Sequence, residues 1–313
     1  MKASLITTVL NEEESIDEFL KSIFEQTKLP DEIIIVDGGS TDQTVKIISE
    51  FNFSNIKNAP CIKLIFKKGN RSVGRNEAIE KAENEIIAIT DAGCILDKNW
   101  LKNLIKPFSD KKTDVVAGYY KGAAQNIFQK CLLPYVFVME DKITDGKIFL
   151  PATRSMAVKK SVWQSIGKFD EKLSHNEDYA FAKKLQKFGA KIVFQKDAFV
   201  NWMPVENFNQ AYIMFFRFAF GDIESGILRP KVALIFARYI LGLIVLLSSL
   251  YLKSVILIQI LLITFILYLA WAVFKNYKYV KDYRAIIYLP LFQITSDVAV
   301  IKGSIAGAIK KFI

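Results

Sequence analysis

The chain has 313 residues, with 42 Lys and Arg against 32 Asp and Glu and a single histidine, His175. One histidine excludes multi-histidine zinc centres, and three scattered cysteines, Cys61, Cys94 and Cys131, lack ligand-like spacing and read as reduced thiols. The net charge of +10 is concentrated: residues 229–313 hold eleven basic groups against Asp282 and Asp297, and the preceding 228 hold 31 against 30, so the excess points to an anionic membrane surface rather than nucleic acid.

The first elements alternate in period. Leu5 to Leu10 is β-rich, Ile16, Phe19, Leu20, Ile23 and Phe24 recur at helical spacing, and Glu32 to Val36 is again a strand. Val45, Ile47, Ile48 and Phe51 predict a second helix, with Ser40, Thr41 or Asp42 available as its cap. A strand at Cys61 to Phe66, a short helix around Ala78 to Ala82 and the apolar strand Ile86-Ile87-Ala88-Ile89 leading to Asp91 follow. Strands about 30 residues apart with helices between them predict a parallel α/β sheet.

Ligands of such sheets bind where strands end at their carboxyl edge, and three polar groups lie at three such ends. They are Thr8 to Glu12, Asp37 to Asp42, and Asp91. Asp37-Gly38-Gly39-Ser40-Thr41-Asp42 pairs a carboxylate with glycines that let backbone approach a ligand. An ordinary turn and helix cap is the competing reading of that run.

Taken together, Thr8-Val9-Leu10-Asn11-Glu12, the Asp37 run, Gly74-Arg75-Asn76, Asp91-Ala92-Gly93 and Glu177-Asp178 occur in an order that resembles the family 2 inverting glycosyltransferases, over roughly residues 4 to 220. The resemblance implies a GT-A fold, a Rossmann-like α/β domain for nucleotide-diphospho-sugars, and single-displacement transfer with inversion at the sugar carbon. It implies that Asp37 hydrogen-bonds the nucleobase and that Thr8, Leu10, Asn11 and Glu12 lie along the nucleoside. UDP is the first choice, although guanine and thymine also offer donors to an Asp carboxylate. Arg71 and Arg75 are expected to flank a Gly-containing loop before a helix and to suit a diphosphate, with two solvated surface arginines as the alternative. Asp91 and Ala92 are placed at the donor, and Asp91 at the Mg²⁺ or Mn²⁺ site, where Gly93 replaces the family's second acid. Metal ions act there as Lewis acids, and Mg²⁺ needs only one or two carboxylates besides phosphates and water.

Ile166-Gly167-Lys168-Phe169-Asp170-Glu171 and His175-Asn176-Glu177-Asp178-Tyr179 resemble the family's acceptor-side segment. By that likeness Asp178 is the base that deprotonates an acceptor hydroxyl, and Glu177 orients or shares in the site. An acidic helix start, favoured by the helix dipole, is the alternative.

Asn207 to Gly226 carries Phe208, Tyr212, Phe215, Phe216, Phe218 and Phe220 around Arg217, the pattern of an amphipathic interfacial segment. Related membrane-bound enzymes carry a Gln-X-X-Arg-Trp signature there; its absence argues against a processive polysaccharide synthase. From Val232 to Leu252 the only charge is Arg238, and Ser254 to Phe274 carries none. At about 1.5 Å rise per residue each is roughly 31 Å long, enough to cross a bilayer core. Arg238 is placed to snorkel towards headgroups, and only Tyr251-Leu252-Lys253-Ser254 can turn, giving a tight helical hairpin. Buried helices of a large soluble core are the competing reading.

Lys275, Lys278, Lys281 and Arg284 orient the following loop to the cytoplasm, and with it the N-terminal 228 residues of a multi-pass cell-membrane protein. The start, Lys2 with a short apolar run and then Glu12-Glu13-Glu14, does not read as a signal peptide. A third segment, Ala285 to Ile301 with its tail to about 309, is interrupted by Pro290 and carries Gln293 and Asp297. It reads as interfacial or re-entrant, with a third span as the alternative, for which Gly303 and Gly307 offer a packing face.

The expected layout is therefore a GT-A domain at 1–206, with a donor half to about 118 and an acceptor half from 119. An interfacial segment at 207–228 and a membrane region at 229–313 follow, with helices near 232–252 and 254–274. The implied partners are a nucleotide-sugar donor, a lipid-linked or glycan acceptor and the membrane, in cell-envelope or exopolysaccharide synthesis. Two other functions stay open: a polyprenyl-phosphate sugar synthase, and a degenerate GT-A scaffold suggested by Gly93.

Overall fold

A computed structural model describes residues 1–51, 59–143 and 149–312. In chain order the elements of the first part are β1 (Ala3–Val9), α1 (Ile16–Phe24), β2 (Glu32–Asp37), α2 (Thr44–Glu50), β3 (Cys61–Phe66), α3 (Arg71–Lys81), β4 (Ile86–Ile89), β5 (Cys94–Leu96), α4 (Trp100–Ile105) and β6 (Val115–Gly122). They continue with α5 (Ile127–Val136), β7 (Met156–Lys159), α6 (Lys160–Ser165), α7 (Glu177–Phe188) and β8 (Ile192–Trp202). Four helices close the chain: α8 (Phe208–Glu224), α9 (Pro230–Tyr251), α10 (Val255–Val280) and α11 (Ala285–Phe312).

Contacts divide the chain into two compact units, Met1–Ala123 with Asp141–Met203, and Ala124–Glu140 with Pro204–Ile313. Helix α5, inside the expected acceptor half by position, therefore belongs to the unit of the C-terminal helices.

The first unit is built on an eight-stranded sheet of order β3-β2-β1-β4-β7-β6-β8-β5. The parallel sheet predicted from the strand and helix periods holds for β3, β2, β1 and β4. Beyond β4 the sheet is mixed, because β7 runs antiparallel to both β4 and β6, and β5 runs antiparallel to β8. Strand β2 shows why the sheet is covered on both faces. Its Ile33 and Ile35 belong to one apolar cluster with Phe19 and Trp100, and its Ile34 and Val36 to another with Ile79, Trp163 and Phe181. Alternate side chains of a strand point to opposite faces, so a continuous apolar run needs two apolar layers.

Helix α3 begins at Arg71, seven residues before the short helix predicted around Ala78 to Ala82. Asn70 supplies the start, its side chain accepting from the backbone N–H of Val73 at 3.1 Å. The early turns carry Arg71, Ser72, Gly74 and Arg75, so no apolar period announces them. Gly74 lies where a Cβ would meet the Thr8 side chain at 2.7 Å, so α3 packs closely on the end of β1.

In the second unit α9, α10 and α11 are each long and apolar enough to cross a membrane. The predicted hairpin is present: α9 ends at Tyr251, Lys253 adopts φ 48°, and the Ser254 side chain caps α10. The expected break at Pro290 is absent, since α11 is one 28-residue helix with Pro290 inside its second turn, where its missing N–H removes a helical bond without ending the helix. Nor does Arg238 simply reach for headgroups: its guanidinium lies 3.6 Å from Asp297 and 4.1 Å from the Tyr268 ring centroid. Asp297 also accepts from Tyr239, Tyr268 and Gln293, so the polar residues that weighed against a third span satisfy one another.

Helices α8 and α11 run parallel along their length. Phe208 meets Phe292 at 4.8 Å between ring centroids, Gly303 sits on the Phe216 carbonyl, Gly307 sits on that of Phe220, and Lys310 pairs with Glu224 at 2.5 Å. A Cβ at Gly303 or Gly307 would stand 2.4 or 2.8 Å from those carbonyl oxygens, so the small-residue face is used against α8.

Candidate active site

At the carboxyl ends of β1 and β2 the two polar loops are joined. Asn11, with φ 55°, donates its backbone N–H to Ser40 Oγ and accepts from the Thr41 N–H at 2.8 Å. Glu12 donates its N–H to Thr44 Oγ1 at 2.7 Å, and the Glu13 N–H reaches Asp42. Burial pushes the Glu12 carboxyl up, against the opposing hydrogen bond from Ser15 and the charge of Arg71. Leu10 stays exposed beside this junction, and Thr8 lies under Gly74.

Asp37 is buried, and its carboxylate accepts from the N–H groups of Gly39 and Ser40 and from Ser40 Oγ. The turn is thus shaped by Asp37 itself. A base placed on this carboxylate would have to share it with those donors.

The acidic strand end is more informative. Arg75, 2% exposed, donates from Nη2 to Asp91 Oδ1 at 2.9 Å and from Nη1 to Glu177 Oε1 at 2.6 Å. The expectation that Arg71 and Arg75 flank an open loop is therefore corrected: both lie in α3, Arg71 exposed in its first turn and Arg75 buried one turn on. Because α3 starts early, residue 75 faces the sheet edge, where two carboxylates take its donors. Burial raises the Asp91 carboxyl, but Arg75, Arg154 and Arg71 outweigh it and hold the group below the usual carboxylate range. Ala92 is buried behind it, and nothing lies within 4 Å of where a Cβ on Gly93 would stand.

Glu177 and Asp178 open α7, as the helix-start reading anticipated, after Asn176 turns the chain at φ 55°. Glu177 contacts Arg75 and Asp178 feels its charge, so position at a helix start and membership of the cluster coincide. Burial first, and the neighbouring Glu177 charge second, raise the Asp178 carboxyl above the ordinary range, with Arg154 and Arg75 opposing. One carboxylate of the cluster is thus held ionised and another is made more basic.

Two residues outside the expected set complete the cluster. Asn76 donates to the Phe169 carbonyl and to Glu171, and accepts from the Phe169 N–H and from Trp163. It fixes segment 169–171 against α3, and the Gly74-Arg75-Asn76 run was its only sequence signal. Arg154, just before β7, has its guanidinium 5.3 Å from the Tyr120 ring centroid and 5.0 Å from that of Trp202. Nothing in the Pro151-Ala152-Thr153-Arg154 run distinguishes it from a surface arginine. Among the described residues no group of three His, Cys, Asp or Glu side chains is disposed to hold a metal ion.

The chain is similar to glycosyltransferase AglE of Haloferax volcanii, 26% identical over 230 residues that cover 72% of this chain and 74% of the relative. It is also similar to the O-antigen chain rhamnosyltransferase RfbN of Salmonella typhimurium, 28% identical over 68% of this chain and 71% of that one. Among solved folds, the mannosyltransferase PcManGT from Pyrobaculum calidifontis, in complex with GDP-Man and Mn²⁺, superposes with a TM-score of 0.62 at 17% identity. The likeness covers 99% of this chain and 88% of that one. Staphylococcus aureus TarS 1-349 in complex with UDP gives a TM-score of 0.52 at 23% identity, over 70% of this chain and 64% of that one. The profile of Glycosyl transferase family 2 matches residues 4–162, just over half the chain. With its α/β sheet, its strand-end acids and three helices able to cross a membrane, the chain belongs to glycosyl transferase family 2 and is a GT-A-type glycosyltransferase.

Proposed function

We propose that this enzyme transfers a sugar, with inversion, from a nucleotide-diphospho-sugar to a lipid-linked or other membrane-proximal acceptor in cell-envelope or exopolysaccharide assembly. A UDP-sugar is the first choice of donor. The observation that carries the reading is the cluster in which Arg75 joins Asp91 to Glu177 beside the more basic Asp178. The names of the relatives, an O-antigen rhamnosyltransferase among them, support envelope glycans as the setting.

In this reading Asp178 accepts the proton of an acceptor hydroxyl while that oxygen attacks the anomeric carbon. The bond to the diphosphate breaks from the opposite side and its electron pair leaves with the nucleotide. Arg75 holds Asp91 and Glu177 at fixed separation, so the site keeps its shape without bound substrate. Thr8, Leu10, Asn11, Glu12 and Asp37 form the nucleoside wall, and Arg71 remains the exposed cation at the start of α3.

The Pyrobaculum neighbour was solved with Mn²⁺, and the residues here fit a divalent ion in a reduced form. Asp91 Oδ1 is taken by Arg75, which leaves its second oxygen, and Gly93 adds no ligand. Asp91 would hold the ion, with diphosphate and water oxygens supplying the remaining ligands. When bound, the ion supplies Lewis-acid stabilisation of the departing diphosphate.

The test is a donor screen on purified full-length protein with and without Mn²⁺, offered hydroxyl-bearing lipid-linked glycans or polyprenyl phosphate. Transfer to the glycans that collapses in Asp178→Asn supports the reading. Transfer to polyprenyl phosphate alone, indifferent to that variant, identifies a polyprenyl-phosphate sugar synthase, and no turnover with any donor leaves a binding scaffold.

A further inference from the structure

Arg75 and Arg154 both lie near Asp91 and Asp178; Arg75 is buried and Arg154 half-buried, and among the described residues only Arg75 of the two is ion-paired with protein. Among the described residues, Arg154 Nε is buried with no hydrogen-bond partner and no ion pair holds the group. Asp91 and Asp178 are near enough for their charges to be felt, yet neither is within salt-bridge distance. A buried N–H donor without a partner is costly, and folding alone gives no reason to keep one.

Its surroundings limit what completes it. Trp202 pairs in register with Gly122, two residues on from Tyr120, so both rings stand on the same side of the sheet. Rings beside a guanidinium suit its π-faces, which leaves its in-plane N–H groups as the donors for a ligand. A planar edge of paired donors matches two oxygens of a phosphoryl group and is poorly used by a neutral sugar hydroxyl. The Thr90 hydroxyl donates to the Arg154 carbonyl at 3.0 Å, tying that backbone to the end of β4 one residue before Asp91. Ser155, the next residue, is locked by Trp100 Nε1 and the Ala198 carbonyl, both at 2.9 Å.

We propose that Arg154 is a phosphate-binding residue of this site, taking phosphoryl oxygens of the substrate along its guanidinium edge. The inference rests on the glycosyl-transfer reading for the identity of the substrate. The phosphoryl group belongs either to the donor diphosphate or to a phosphate-bearing lipid acceptor, and the binding arms below separate the two.

Full-length protein in detergent is titrated with uridine, UDP, GDP, inorganic pyrophosphate and a short-chain polyprenyl phosphate, as wild type, Arg154→Met and Arg154→Lys. Loss of a charge-assisted pair predicts roughly ten- to hundredfold weaker binding of the phosphate probe in Arg154→Met. Uridine binding stays within about twofold, and Arg154→Lys falls between the two because an ammonium keeps the charge without the fork. A loss confined to UDP, GDP and pyrophosphate assigns the donor diphosphate, and one confined to polyprenyl phosphate assigns the acceptor. If wild type binds pyrophosphate or the lipid phosphate through Arg154 but no nucleotide, this proposal stands and the nucleotide-sugar reading fails. Unchanged phosphate binding in a folded Arg154→Met or Arg154→Lys, equal loss of uridine, or no phosphate binding by wild type overturns it.

Discussion

Arg75 Nη1 and Glu177 Oε1 lie 2.6 Å apart, although 102 residues of chain separate them. This contact ties the first helical turns beside the donor loops to the start of α7, and it is buried on both sides. Arg75→Met leaves Glu177 and Asp91 without their common cation. We expect a loss of about 3–5 kcal/mol in stability, read by thermal or denaturant unfolding, because breaking a buried pair strands the remaining charge. A loss below about 1 kcal/mol contradicts the assignment.

Asp178 gives a pH prediction whose sign follows from its environment. Its carboxyl is raised by burial and by Glu177, and only the ionised form accepts a proton. The transfer rate should therefore fall as pH drops through a point above the ordinary Asp range. Asp178→Asn should lower kcat by about 10²–10⁴. A folded-state value above the unfolded one also means that ionisation opposes folding as pH rises. Asp178→Asn is thus expected to be at least as stable as wild type at pH 7, and a large drop in Tm would refute that account.

Gly93 offers a gain-of-function test. No atom lies within 4 Å of its missing Cβ, so Gly93→Asp has room for a side chain. A second carboxylate near Asp91 should lower the Mn²⁺ concentration that half-activates transfer, and Asp91→Asn should raise it. Titration of chelated enzyme with Mn²⁺ reads both. An unshifted midpoint in Gly93→Asp would separate that position from the metal.

Gly303→Val should push α11 away from α8, since even a Cβ meets the Phe216 carbonyl oxygen at 2.4 Å. Overpacking of this kind costs about 1–3 kcal/mol. Gly242→Val serves as control, because the nearest atom to its Cβ is a Leu261 methyl at 3.9 Å. Equal melting temperatures in detergent for the two variants would count against tight α8–α11 packing.

Orientation is open to chemical labelling. Tyr283 is exposed in the loop between α10 and α11. In a strain whose only cysteine is Tyr283→Cys, a membrane-impermeant maleimide should label broken cells and spare intact ones, as the four nearby basic residues predict. Labelling of intact cells reverses the topology.

The donor half was legible because its strands are buried on both faces and separated by amphipathic helices, a pattern that Ile33 to Val36 and Ile16 to Phe24 carry openly. The antiparallel placement of β7 and β5 was not, since neither short strand encodes its direction in its period. Arg75 was found as a site residue but given the wrong surroundings. Its helix begins with polar residues and a glycine, and its partner Glu177 is brought near only by tertiary folding. Arg154 escaped altogether: Tyr120 and Trp202, the rings beside it, lie 34 and 48 residues away in sequence. Asp297 misled for the opposite reason, because a local rule about charges does not see the tyrosines and arginine that neighbouring helices bring.

The assignment of Ala124–Glu140 to the unit of the C-terminal helices has a practical consequence. Phe128, Cys131 and Leu132 of α5 are buried among residues of α8 and α11, so a soluble version cut off at Met203 would carry an uncovered greasy finger midway along its chain. Excising the sheet unit takes two operations, removal of everything after Met203 and replacement of the α5 excursion by a short polar bridge.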